Sequence, residues 1–254
     1  MLFRSIMRII RDIPAERQTL LFSATMPGPI RQLAKSIMRH PEQINLATSQ
    51  PAEGINQQIY KVHEDQKAKL VTLLLKNTNY ASTIIFANTK DKVKQLNREL
   101  RAARIKVSAF HSDFEQAERE KILLDFKNRV LPVIIGTDAL SRGIDVEGID
   151  LVINYDVPSD PEDYVHRIGR TARAQTTGTA ITLVNGRDLR KLKSIEEMIG
   201  RPITENTLPP ELGEAPAFEE RKPSGNRNRN RNNKFKKKKK PGNSHQSQPG
   251  NTAV

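Results

Sequence analysis

Short apolar runs of strand length alternate along this chain with segments whose apolar residues recur at helical spacing. The runs fall at residues 19–22, 57–62, 83–86, 106–110, 133–135, 151–153 and 180–184. Between them, Val93, Leu96, Leu100 and Ala103 share one helical face, as do Leu70, Leu73 and Leu74 in the segment that starts near Asp65. Ile122, Leu123 and Phe126 mark a further helix. Strand and helix taking turns in this way predicts βαβ units and a mainly parallel sheet buried on both faces, hence an α/β fold. Loops at the C-terminal ends of such strands carry the chemistry. Attention therefore goes to the residues after Phe86, Ile135 and Ile153.

The pattern breaks twice. A polar stretch containing Pro51 and Gly54 makes a linker at 47–54, separating a first piece, 1–46, from the main domain, 55–205. A second break comes near Pro209 and Pro210, and residues 206–254 read as a low-complexity basic tail. From Arg221 onward Asn, Arg, Lys, Pro, Gly, Ser and Gln dominate, with Phe235 the one aromatic residue, and disorder is expected there. The first piece offers a helix, a strand, Ser23-Ala24-Thr25, a second helix and a candidate last strand at 43–46. It is too short for a core of its own. It reads as the end of a domain whose beginning is missing.

Charge sharpens this division. The chain of 254 residues carries a net charge of +13, but residues 221–254 hold 11 of the 42 Lys and Arg and no acid. The 31 basic residues that remain face 29 acids, a net of +2, so the folded part is nearly neutral. A neutral body with a basic tail suggests a tail that tethers RNA. There is no cysteine, which suits a reducing cytoplasm. No apolar run approaches the roughly 20 residues of a membrane span, and Arg4, Arg8 and Arg11 interrupt the N-terminus where a signal peptide would be apolar. A cytoplasmic protein without membrane partners is expected.

Four constellations carry candidate chemistry. Ser23-Ala24-Thr25 follows a predicted strand, where two hydroxyls suit a hydrogen-bond relay or an ordinary helix cap. Gln116-Ala117-Glu118-Arg119 opens a helix after His111-Ser112-Asp113, where Arg119 and backbone N–H groups suit a phosphate grip or a plain charged surface. Thr137-Asp138 and, further on, Arg142-Gly143-Ile144-Asp145 leave a buried strand. There Thr137 suits a phosphate and Asp145 a ribose hydroxyl, although a turn at Gly143 explains the same residues. The fourth is His166-Arg167-Ile168-Gly169-Arg170-Thr171-Ala172-Arg173. Asp160 and Pro161 predict the start of its helix, and Gly169 its end. Arg170 and Arg173 then leave one turn together as two permanently charged forks, suited to a polyphosphate whose charge grows during phosphoryl transfer.

In this order the motifs resemble those of the DEAD-box ATP-dependent RNA helicases. The resemblance covers roughly residues 1–205: Ser-Ala-Thr, Ile-Ile-Phe-Ala-Asn-Thr at 84–89, Gln-x-x-Arg, Thr-Asp-x-x-x-Arg-Gly-Ile-Asp, Val-Ile-Asn-Tyr-Asp-Val-Pro at 152–158, and His-Arg-Ile-Gly-Arg-Thr. The tail and Leu212-Gly213-Glu214-Ala215-Pro216 look like bacterial RhlE-type members. The resemblance implies two RecA-like domains that close on ATP, with Mg2+, and on RNA. Residues 55–205 would be the second, a RecA-like parallel sheet flanked by helices. Arg170 and Arg173 would be arginine fingers for the γ-phosphate, and Gly143 and Asp145 would lie at the nucleotide. Ser112, Gln116, Arg119 and Thr137 would hold the RNA backbone, with little sequence preference. His166 and Arg167 would link the two sites, and Ser23 and Thr25 would couple hydrolysis to unwinding. Two positions depart from the pattern: Ser112 and Ala172 stand where the family usually has Gly.

No Gly is followed by Lys anywhere in the chain, and no Asp-Glu-Ala-Asp occurs. The phosphate loop and the magnesium-binding carboxylates of such a site are therefore not in this sequence, no metal-ligating set is identified in it, and the chain alone is expected to be inactive. ATP and Mg2+ would be bound mainly by the missing first domain. The alternative is a non-catalytic RNA-binding module on the same RecA-like fold.

Overall fold

Burial on both faces decides how the central strands pack. A computed structural model describes residues 2–23, 26, 28–44, 51, 54–141, 148–171 and 177–218. Among these, α1 is Leu2–Asp12, α2 Gly28–Ile37, β1 Ile55–Lys61, α3 Lys67–Asn77, β2 Thr83–Phe86 and α4 Lys90–Ala102. There follow β3 Val107–Phe110, α5 Gln116–Lys127, β4 Val133–Gly136, the short α6 Asp138–Ser141 and β5 Leu151–Asn154. The chain goes on through α7 Pro161–Ile168, β6 Gly178–Val184, α8 Leu189–Ile199 and β7 Thr204–Asn206. The described strands form one parallel sheet in the order β3-β4-β2-β5-β6-β1-β7. This is the α/β, RecA-like parallel sheet flanked by helices that the apolar pattern and the motifs predict.

Side chains alternate between the faces with the period of two that a strand imposes. Ile85, Ile135 and Ile153 join Leu70 and Val71 of α3 and Val93, Leu96 and Leu100 of α4 on one face. Ile84, Ile134 and Val152 pack against Phe126 of α5 and Leu140 of α6 on the other. Further along that second face, Ala180 and Val184 meet Tyr164 and Ile168 of α7 and Leu192, Ile195 and Ile199 of α8. Gly136 ends β4 where Leu140 closes back on it: a Cβ there would lie 2.7 Å from a Leu140 methyl carbon.

Two expectations need correction. No strand forms at 19–22, where Leu20 and Phe22 are 68% and 89% exposed. A strand needs a neighbour for its backbone groups, and the described sheet begins at residue 55. The compact unit also continues past 205 to Phe218. β7 pairs with β1, Leu208 is buried in the core, and Leu212 packs against it. Three widely spaced apolar residues in a Pro-, Gly- and Glu-rich segment were too sparse to read as structure. The predicted end of the strand at 43–46, most of the linker and the tail from Glu219 lie outside the described residues.

Candidate nucleotide- and RNA-facing site

β2 sits between β4 and β5, so successive connections depart from it in opposite directions, the place where α/β sheets open a crevice at their C-terminal edge. Register then aligns three polar residues. Phe86 pairs with Gly136 on one side and Asn154 on the other. Two positions beyond these lie Asn88, Asp138 and Asp156, at the same edge.

Arg167 gathers all three. It is 1% exposed and comes from α7, whose start is capped by the Asp160 carboxylate accepting from the Glu162 N–H at 3.0 Å, with Pro161 in the first turn. Its Nε donates to Asp138 Oδ1 at 2.6 Å and its Nη2 to Asp138 Oδ2 at 3.1 Å, a fork-on-carboxylate pair. Nη1 donates to the Asp156 carbonyl at 2.9 Å and to Asn154 Oδ1 at 3.3 Å, and Nη2 to Asn88 Oδ1 at 3.3 Å. The guanidinium also lies 5.3 Å from the centre of the Phe86 ring. One side chain thus joins the ends of three strands to the helix that leads into Arg170. His166 and Arg170 are half-buried at the end of that helix, and the Arg170 N–H donates to the Arg167 carbonyl at 3.2 Å. Gly169 is the cap residue, in a right-handed conformation, between Arg167 and Arg170.

Beneath this hub is an ionic cluster that sequence reasoning missed. Asp156 accepts from Lys92 at 2.6 Å, Lys67 at 3.3 Å and the Asn88 N–H at 3.0 Å. Glu64 takes Lys92 at 2.7 Å, Lys67 at 2.9 Å and Asn185 Nδ2 at 2.7 Å. Lys67 is fully buried, 5.4 Å from the centre of the Tyr155 ring. The signal was present: Lys67 occupies the same helical face as Leu70, Val71 and Leu74, where an unpaired ammonium would be very costly.

Burial raises the Glu64 carboxyl, but the hydrogen bonds from Lys92 and Lys67 outweigh it and lower the group from 4.5 to about 2. Asp156 is likewise lowered: burial opposes ionisation, while the Asn88 N–H and Lys92 favour it. A carboxyl depressed in the folded state contributes stability above its unfolded value and loses it as the pH falls through the folded one. The stability gap between the protein and its Glu64→Gln variant is therefore expected to be full above pH 4.5 and to close towards pH 2. Urea unfolding across that range measures it, and a gap independent of pH would remove Glu64 from the cluster's energetics.

At the β3 end of the same edge, Ser112 and Thr137 follow adjacent strands, whose last residues Phe110 and Gly136 are paired. The loop between β3 and α5 is held by His111, which is buried and stacked on Phe114 with ring centres 4.2 Å apart. Burial, with Lys94 nearby, lowers the His111 pKa. Asp113 takes Lys90 at 2.7 Å and Lys94 at 2.8 Å, and these hydrogen bonds hold its carboxyl well below the usual range. Ser112 and Gln116 are exposed, Arg119 and Thr137 half-buried. Gln116 Nε2 donates to Glu120 at 2.7 Å, and Glu118 accepts from the Glu115 N–H at 3.2 Å. With carboxylates at this helix start, a phosphate grip would rest on Arg119, Gln116 and Thr137 more than on free backbone N–H groups.

Ser23 is exposed in a segment without regular structure. Thr25, Gly143, Asp145, Ala172 and Arg173 lie outside the described residues. Among the described residues no group of three or more His, Cys, Asp or Glu is arranged to hold a metal ion, and no helix is long and apolar enough to cross a membrane.

Residues 65–175 match the helicase conserved C-terminal domain. Escherichia coli DEAD-box protein SrmB, solved bound to regulator of ribonuclease activity A, is 30% identical, with a TM-score of 0.62 over 66% of this chain and 99% of that one. The chain belongs to the DEAD-box helicase family. Saccharomyces cerevisiae Dbp5, solved bound to RNA and ADP BeF3, is similar over 80% of this chain and 55% of that one, at 32% identity and a TM-score of 0.73. The DEAD-box ATP-dependent RNA helicase CshA of Geobacillus kaustophilus is 41% identical over 84% of this chain and 46% of that protein. The chain thus spans about half the length of the curated relatives it matches. These relatives support the DEAD-box family as a whole rather than the RhlE-type subgroup in particular.

Proposed function

We propose that this chain is the C-terminal RecA-like half of an ATP-dependent RNA helicase in the cytoplasm, with residues 1–46 the end of the first domain. The observation that carries the proposal is the Arg167 hub, which ties the helix before Arg170 to the ends of β2, β4 and β5. In that role Arg170 and Arg173 reach the γ-phosphate of an ATP held with Mg2+ mainly by the first domain, and Gly143 and Asp145 meet the nucleotide. Ser112, Gln116, Arg119 and Thr137 hold the RNA sugar-phosphate strand, and 2′-hydroxyl contacts favour RNA over DNA. His166 and Arg167 transmit between the two sites, and Ser23 and Thr25 couple hydrolysis to unwinding. Preorganised cations suit this chemistry, since phosphoryl transfer is catalysed mainly by positioning and charge stabilisation. The non-catalytic RNA-binding module is the weaker reading, because a binder has no use for so firm a brace on the helix that leads into Arg170.

The isolated chain tests the reading. It is expected to bind single-stranded RNA without turning over ATP. Deleting residues 221–254 is expected to weaken binding and to flatten the log–log salt dependence by about 0.7 for each tail charge that meets a phosphate. RNA-stimulated ATP turnover by the pure chain would overturn the division of labour, and an unchanged slope would remove the tail from RNA binding.

A further inference from the structure

Ile149, two residues before β5, is 2% exposed, and both of its neighbours are tied to the turn that precedes β2. The Gly148 carbonyl accepts from Ser82 Oγ and from Arg129 Nη2, each at 3.3 Å. The Asp150 carboxylate accepts from the Ala81 and Ser82 N–H groups at 2.8 and 3.0 Å and faces Arg129 Nη1 at 3.5 Å. The Asp150 N–H donates to Ser82 Oγ at 3.2 Å, and its carbonyl accepts from the Thr179 N–H of β6 at 3.0 Å. Arg129 sits at φ +58°, in the left-handed region that favours glycine, so the backbone gains nothing from its side chain. What that side chain does is reach Ser82, Gly148 and Asp150.

Ile149 in turn holds Thr171, the residue after Arg170. The two form a parallel bridge, and Thr171 Oγ1 donates to the Ile149 carbonyl. Thr171 is fully buried, so water does not replace that bond when it is lost. On the other side, the Arg170 N–H donates to the Arg167 carbonyl at 3.2 Å. The Arg170 backbone therefore has a buried anchor before it and another after it. Arg167 is tied to residues that follow β2, β4 and β5, at the C-terminal edge of the sheet. Thr171 is tied through Ile149 to residues that precede β2 and β5, at the N-terminal edge. Two anchors at opposite edges fix a direction, where one alone would leave a pivot.

We propose that Thr171 is a positioning residue for Arg170: its hydroxyl, bonded to the Ile149 carbonyl, holds the backbone that presents Arg170, and Arg129 steadies Ile149. This rests on the reading of Arg170 as an arginine finger. A group that meets charge in the transition state must arrive at a set place, and a displacement of about 1 Å can cost about 100-fold in rate. Thr171→Val keeps the shape of the side chain and removes the donor. In the full-length protein it is expected to lower kcat for RNA-stimulated ATP hydrolysis by about 10- to 100-fold. KM for ATP should change little, as when an interaction made only in the transition state is lost. Thr171→Ser keeps the donor and is expected to recover most of the turnover. Arg129→Gly, which suits a left-handed backbone, is expected to give a smaller loss in the same direction.

The deciding experiment is a double-mutant cycle on kcat with Arg170→Ala, with urea midpoints measured beside it to show that each variant is folded in the assay. A residue that acts through Arg170 has nothing left to position once that guanidinium is gone. Thr171→Val is therefore expected to cost no further turnover in the Arg170→Ala background. Full turnover in Thr171→Val shows that the bond is dispensable and overturns the proposal. Equal fold-losses with and without Arg170 overturn it too, because Thr171 then serves the fold alone, and so does a Thr171→Ser protein as impaired as Thr171→Val. Unchanged turnover in Arg129→Gly removes Arg129 from the chain of contacts and, where Thr171→Val does not fold, overturns the proposal. Each of these results leaves the finger reading in place. Unchanged turnover in Arg170→Ala overturns that reading, and the proposal with it.

Discussion

Replacing Arg167 by Met is expected to cost about 3–5 kcal/mol of folding stability, the usual loss when one partner of a buried ion pair is removed. The substitution keeps much of the apolar stem but leaves Asn154 Oδ1, Asn88 Oδ1 and the Asp156 carbonyl without the guanidinium donor and takes the forked ion pair from Asp138. Against a typical domain stability of about 5–15 kcal/mol, this would bring the chain close to unfolding. Lys is expected to recover only part of the loss, because a point charge cannot reproduce five directed donors in a plane. Urea titration followed by circular dichroism gives the answer on the chain as it stands. A change below about 1 kcal/mol would show that the hub is not a structural brace.

Arg170→Ala should behave in the opposite way. In the full-length protein it is expected to lower RNA-stimulated ATP hydrolysis by about 10³–10⁵, the range for arginine fingers in related reactions. That corresponds to about 4–7 kcal/mol of transition-state stabilisation. RNA affinity without nucleotide should change little, and the urea midpoint should move far less than for Arg167→Met. Arg170 is half-buried at the helix end, whereas Arg167 joins three strand ends. The pair of variants separates positioning from chemistry: one loses the fold that aims the turn, the other the charge the turn presents. An Arg170→Ala enzyme with unchanged turnover would contradict the finger assignment.

The two residues are equally visible in the sequence, in one motif, and the resemblance makes Arg170 a finger and Arg167 a link between sites without showing that Arg167 is a buried brace. Apolar spacing sufficed for the fold class and for the six longer strands of the sheet, helped by burial on both faces, which leaves runs of β-branched and aromatic residues such as Thr83-Ile84-Ile85-Phe86. Capping chemistry sufficed for the start of α7 at Asp160 and Pro161. The family followed from ordered motifs, which need no geometry to be recognised. By contrast, β7 and the segment 207–218 are not legible in the sequence, since three residues of strand and scattered Leu208, Leu212 and Phe218 carry no period.

The tertiary structure alone decided what those motifs do to one another. Asn88, Asp138, Asp156 and Arg167 are far apart in the chain, and only parallel pairing in register brings the first three to one corner where α7 can reach them. The same holds for Lys67, Lys92 and Glu64 around Asp156. Local sequence records propensity and periodicity, which act over a few residues. Desolvated charge is settled by what lies within about 4 Å in space, and that is known only when the sheet has closed.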